Sequence, residues 1–137
     1  MEKTIFISIK EKYINQIVLG KKNYEFRSRI PQKNINIFFV YTSSKPKVIE
    51  YILEVGKVIK YPNQIEENGI GNQEFNNGDK KYIFAFPIKH VSKLLKPISL
   101  EELRKIYLFN PPQSFMYAST NKKLCNFIKS SKKELIY

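Results

Sequence analysis

The first thirty residues constrain the fold most, because their hydrophobic period changes twice. Thr4 to Ile9 alternates, with Ile5, Ile7 and Ile9 on one side, the pattern of a half-buried strand. Glu11 to Leu19 then switches to helical spacing, with Tyr13 or Ile14 followed by Ile17 and Val18. Gly20 stands where a helix C-cap favours a residue free of the Cβ penalty. Asn23 to Ser28 returns to period two. A strand, a helix and a second strand in so short a stretch demand a mixed arrangement and exclude an all-helical one.

The rest of the chain extends this pattern. Ile35 to Tyr41 and Lys47 to Ile59 are β-branched and aromatic runs, the second long enough to bend or bulge near Gly56. Tyr82 to Ile88 reads as a further strand. Tyr61 to Lys80 is polar, rich in asparagine and broken by Gly69, Gly71 and Gly78, which predicts a connecting excursion with one short helix around Ile65 to Asn68. Ser99-Leu100-Glu101-Glu102 is a capping box, so a short helix should run to about Ile106. Pro111-Pro112 stops any helix and stiffens the approach to Gln113 to Tyr117. Thr120 to Lys133 predicts a terminal helix with Leu124, Phe127 and Ile128 inward and lysines outward. No internal repeat and no linker interrupts the sequence, so residues 1–137 read as one domain. Five or six strands with three or four helices give an α+β fold, a small mixed barrel with helices at its rim.

Composition bounds the function. The chain has 137 residues, 42% apolar and 14% aromatic, enough for one core and unlike a disordered segment. No run of about 18 apolar residues is present, so no membrane contact is expected. Met1 to Lys10 starts acidic and alternates, unlike a secretory signal. One cysteine, Cys125, allows no internal disulfide, and a cytoplasmic location is expected. The formal charge of +12 points to a polyanionic partner, although 21 lysines against 3 arginines also fit AT-rich coding. Charge is segregated along the chain. Tyr61 to Asp79 holds four acidic residues and no basic one, while Leu103 to Lys133 holds seven basic residues and no acidic one.

The segment Gly20-Lys21-Lys22-Asn23-Tyr24-Glu25-Phe26-Arg27 carries the clearest chemistry. On a strand over residues 23–29, Tyr24 and Phe26 point one way, and Glu25, Arg27 and Arg29 the other. The apolar pair would face the core, and the charged set would line the opposite surface, with Lys21 and Lys22 arriving from the preceding turn. Glu25 would accept from an amine or amide of a base, with Arg27 and Lys22 as donors. The same alternation also describes a surface strand charged for solubility. Aromatics next to cations at Tyr24/Arg27, Tyr41/Lys45 and Tyr117/Lys122 are candidate stacking platforms, though most rings must be core.

Gly20, Lys22, Glu25 and Arg27 match the G-x-K-x-x-E-x-R signature, and by it the chain resembles the ASCH family of the PUA-like superfamily. Ile7-Ser8-Ile9-Lys10, Val40 to Pro46, Val48 to Ile59, Lys96 to Leu103 and Pro111 to Tyr117 resemble further segments of that family in the same order, so the likeness spans residues 3 to about 117. It implies a PUA-like barrel that binds RNA or a modified base, as a regulator, in a cleft between barrel and first helix. Lys22, Glu25 and Arg27 would line it. Lys10, Tyr41, Ser43 and Ser44 are candidate neighbours, and Gln113, Ser114 and Tyr117 are candidates from the late loop, where closing the core is the equal alternative. Lys21 and Arg29 complete the candidate binding set. The enzymatic alternative uses the same Lys22, Glu25 and Arg27. Some relatives are amidohydrolases of acylated cytidine, but Glu25 occupies the position of their threonine nucleophile, whereas a ribonuclease stays open.

Other chemistry finds no support. His90 and Cys125 stand 35 positions apart without metal-ligand spacing, so no metal is expected; His90 reads as a strand-end surface residue and Cys125 as packing. No phosphate-cradling glycine motif occurs. A monomer without cofactor is expected, its partner RNA or a nucleotide-like ligand; a protein partner is not specified.

Overall fold

A computed structural model describes residues 3–79 and 81–137. Met1, Glu2 and Lys80, part of the acidic start and the end of the polar excursion, lie outside the described residues. The chain folds as β1 (Thr4–Ile9), α1 (Glu11–Val18), β2 (Tyr24–Arg27), β3 (Ile37–Thr42), β4 (Val48–Val55), β5 (Ile59–Lys60), α2 (Asn72–Asn77), β6 (Phe84–Ser99), α3 (Leu100–Tyr107), β7 (Phe115–Tyr117), a 3-10 turn (Ala118–Asn121), α4 (Lys122–Ser130) and β8 (Lys133–Leu135).

The strands form one curled mixed sheet in the order β2-β6-β4-β3-β1-β7, with β5 and β8 also paired to β6. Among the described residues only β1 and β3 pair in parallel; the other pairings are antiparallel. The result is an α+β half-barrel with four α-helices among the described residues. Eight strands exceed the five or six expected because β5, β7 and β8 are only two or three residues long, too short to leave a period in the sequence.

Helices pack on both faces, which changes the reading of β1. Ile5, Ile7 and Ile9 join Ile14 and Ile17 of α1, Phe38, Val40, Leu53 and Val91 in one cluster. Phe6, on the opposite face, joins Phe39, Ile49, Leu94 and Ile98 with Leu103 of α3 and Leu124, Cys125 and Ile128 of α4 in a second. The expected half-buried strand is therefore buried on both sides, and Phe38 to Tyr41 of β3 is continuously buried for the same reason. On α4 the inward residues are Leu124, Cys125 and Ile128, whereas Phe127, expected inward, is 45% exposed. A third small cluster of Phe26, Ile65, Phe75 and Ala85 lies behind β2.

Three local expectations shift. The terminal helix expected over Thr120 to Lys133 is α4, which ends at Ser130 where Ser131 turns extended, and Lys133–Leu135 pairs with β6 as β8. The helix of the excursion is α2, not residues 65–68, because the Asn76 side chain bonds both backbone groups of Ile65 (2.8 and 2.7 Å) and satisfies that stretch outside any helix. β6 continues well past Ile88, so exposed His90 sits within the strand and not at its end. Elsewhere local chemistry and structure agree. Gly20 adopts φ +76°, and the Ser99–Glu102 capping box is present on α3.

Candidate ligand-binding cleft

Lys22 enters the site because α1 ends in the left-handed turn at Gly20, where the backbone N–H groups of Lys21 and Lys22 both donate to the Gln16 carbonyl (2.9 and 3.1 Å). Asn23 then locks the turn against the excursion: its side chain donates to Asn68 (2.8 Å) and accepts from Asn72 (2.9 Å). Gly69 is needed here, since a Cβ at that position would lie 2.3 Å from the Asn23 Oδ1. β2 pairs with Phe84–Pro87 of β6, and its alternation aims Glu25 and Arg27 into the curl of the sheet.

There the charges fix one another. Lys22 Nζ lies 3.1 Å from Glu25 Oε1 and also donates to the Tyr24 carbonyl. Arg27 reaches Glu25 Oε2 with Nε at 2.9 Å and Nη2 at 2.8 Å. The side chains of Lys22 and Glu25 are each 7% exposed and that of Arg27 is 15% exposed. Arg27 Nη2 further donates to the Ser8 carbonyl at 2.8 Å, which ties β2 to β1 across the seam that the curled sheet leaves open. Its Nη1 has no hydrogen-bond partner among the described residues. Lys22 Nζ also sits 4.8 Å from the Phe26 ring centroid, so the ring behind β2 contributes a cation–π contact.

These groups line a cleft of about 440 Å³, within the size range of small-ligand sites. Its other walls are Ser8, Ile9, Lys10 and Tyr13 from β1 and α1, Ser43, Tyr82, and Pro112 with Gln113. The walls are pinned: Ser8 Oγ donates to the Pro112 carbonyl (2.6 Å), and Ser43 N–H donates to the Ile9 carbonyl (3.0 Å). Three cations, Lys10, Lys22 and Arg27, face one carboxylate, Glu25. The cleft is therefore net cationic and rich in donors.

Of the residues expected from the sequence, Lys10, Lys22, Glu25, Arg27, Ser43 and Gln113 meet in this cleft. Glu25 takes a different part from the one expected. Three N–H contacts from Lys22 and Arg27 occupy most of its roughly four acceptor sites, so it acts as an internal counter-ion that orients cations rather than as an open acceptor. The other candidates lie elsewhere. Lys21 and Arg29 are exposed and outside the cleft lining. Tyr41 is 4% exposed in the second core cluster, where burial pushes its hydroxyl pKa upward against the pull of Arg104. Ser44 accepts from the Glu11 N–H (2.8 Å) and so caps α1 from a distant loop. The Ser114 carbonyl accepts from the Ser8 N–H, and the Tyr117 hydroxyl accepts from the N–H groups of Gln32 and Lys33; neither residue lines the cleft. Tyr13 and Tyr82 were missed because nothing in their local sequence links an exposed helix tyrosine to one 69 positions later.

Among the described residues no group of three or more His, Cys, Asp or Glu side chains is placed to hold a metal ion, and no helix is long and apolar enough to cross a membrane. No functionally curated protein matches the sequence. The crystal structure of ASCH from Zymomonas mobilis is similar over 95% of this chain and 96% of its own, with 21% identity and a TM-score of 0.72. Structures of a tyrosine-to-phenylalanine variant of that protein (20% identity, TM-score 0.73, 95% and 99% covered) and of a serine-to-alanine variant (19%, 0.71, 96% and 98%) agree. Those likenesses fix the fold, and the family profile of the ASCH domain matches residues 7–98. The chain belongs to the ASCH domain family.

Proposed function

We propose that this protein is a binding module that holds RNA, or a nucleotide-like part of it, in the cleft around Lys22, Glu25 and Arg27. The ASCH family is generally thought to bind RNA, which agrees with the chemistry of the site. One observation carries the reading: the cations of a half-closed cleft outnumber its single carboxylate, and that carboxylate is already engaged. An occupant must therefore bring negative charge or acceptor atoms. The overall charge of +12 adds long-range attraction for a polyanion. A regulatory role and a cytoplasmic setting fit such a module.

Binding of a labelled single-stranded oligonucleotide, followed by anisotropy across a salt series, tests the reading. Affinity should fall with salt, with a log–log slope of about −0.7 for each phosphate neutralised. Arg27→Lys keeps the charge but loses the planar fork, and should weaken binding more than the remote Lys132→Ala. Absence of binding by the native protein at low salt would refute it. Cleavage of the strand in the same samples would instead favour a ribonuclease using these residues, and release of acid from acylated cytidine an amidohydrolase.

A further inference from the structure

Resting on the RNA-binding reading, we infer that the cleft takes one unpaired nucleotide with its phosphate attached, the base stacking on Tyr13 and Tyr82 and the phosphate meeting Lys10 and Arg27. The two tyrosines come from different walls, one from α1 and the other from the segment leading into β6, and both line the cleft. They are 42% and 37% exposed, so neither ring is buried in core. Each ring carries the lysine that precedes it: Lys12 Nζ lies 5.9 Å from the Tyr13 centroid, and Lys81 Nζ lies 5.4 Å from that of Tyr82.

An aromatic face beside a cation suits a planar base joined to an anion, and the hydroxyl lets such a ring stand in water when empty. Below these rims lies the donor-rich floor. Arg27 is held by Glu25 and the Ser8 carbonyl, which leaves Nη1 uncommitted among the described residues, and exposed Lys10 stands at the mouth. With Nε and Nη2 spent on Glu25 and Ser8, the N–H groups of Nη1 are what the guanidinium can offer a phosphate, as a charge-assisted contact. A base paired inside a duplex cannot offer its faces to such rings, so single-stranded RNA is the substrate class. A neutral nucleoside would fill the rings but leave the cationic floor unanswered.

The test uses labelled single-stranded RNA, a hairpin of equal length whose loop is minimal, and unlabelled nucleoside or nucleoside monophosphate as competitors. Tyr13→Ala and Tyr82→Ala should each weaken single-strand binding by between about fivefold and a hundredfold. Tyr82→Phe should retain it, since the ring face suffices. The monophosphate should compete at lower concentration than the nucleoside, and Lys10→Ala should erase part of that difference. Competition by free monophosphate but weak strand binding would assign the site to a free nucleotide. Native strand binding that ignores both tyrosine variants, or equal competition by the neutral nucleoside, would overturn this inference while leaving the RNA-binding reading intact. No binding at all would sink both.

Discussion

The β2 wall and the α3–α4 face carry the same kind of charge and use it in opposite ways. Leu103 to Lys133 places seven basic and no acidic residues on and around two helices, and their lysines point outward. Lys123 and Lys133 turn back onto backbone carbonyls, those of Ile106 and of Lys129 and Ser131. At the β2 wall only two cations, Arg27 of β2 and Lys22 from the turn before it, and one carboxylate are involved, but they are largely buried and hold one another at 2.8–3.1 Å. An exposed lysine is a screened, mobile charge of little specificity. A buried, mutually fixed set has a defined geometry and a high cost of disruption. Number of charges sets how strongly a polyanion is attracted; burial sets where it can be read.

The contrast can be broken most severely at Glu25. Glu25→Ala leaves two buried cations side by side without their counter-ion, and should lower stability by about 3–5 kcal/mol in urea unfolding. Gly69→Ala comes next. Its new Cβ would overlap Asn23 Oδ1, so the turn that delivers Lys22 must shift, at about 1–3 kcal/mol and with weakened binding to the cleft. Away from the cleft, Ser99→Ala should cost about 1 kcal/mol through loss of the α3 capping box, with binding unchanged. Smallest of all is Lys105→Ala. It removes an ion pair with Glu101 whose side chains are 74% and 72% exposed, and the change should stay below about 0.5 kcal/mol. If Lys105→Ala cost as much as Glu25→Ala, burial would not be what separates the two regions.

Much of this was legible in the sequence where local chemistry decides structure. The period change between Ile9 and Glu11, the turn at Gly20 and the Ser99–Glu102 capping box each encode their own geometry. The two-residue step along β2 also put Glu25 and Arg27 on one side, with Lys22 arriving from the turn before it, although the same step gave no sign that Arg29 falls outside the cleft. The second half of β6 was hidden by its irregularity. Ile49 faces Ile98 while Tyr51 faces Lys93, so extra residues bulge out of β6 between those pairs. The buried Val91, Leu94 and Ile98 are consequently spaced three and four apart, a helical signal inside a strand. The part of Glu25 as counter-ion was equally illegible, since it depends on where two side chains converge in space. So were Tyr13 and Tyr82, which only the curl of the sheet brings to one cleft.

The most direct measurement is an NMR titration of the native protein with a short single-stranded RNA, read residue by residue at moderate salt. The largest shift changes should fall on Lys10, Tyr13, Lys22, Arg27, Ser43 and Tyr82, with only weak, salt-sensitive changes at Arg104, Lys123 and Lys129. Saturable changes confined to the α3–α4 face, with the β2 wall silent, would contradict the account.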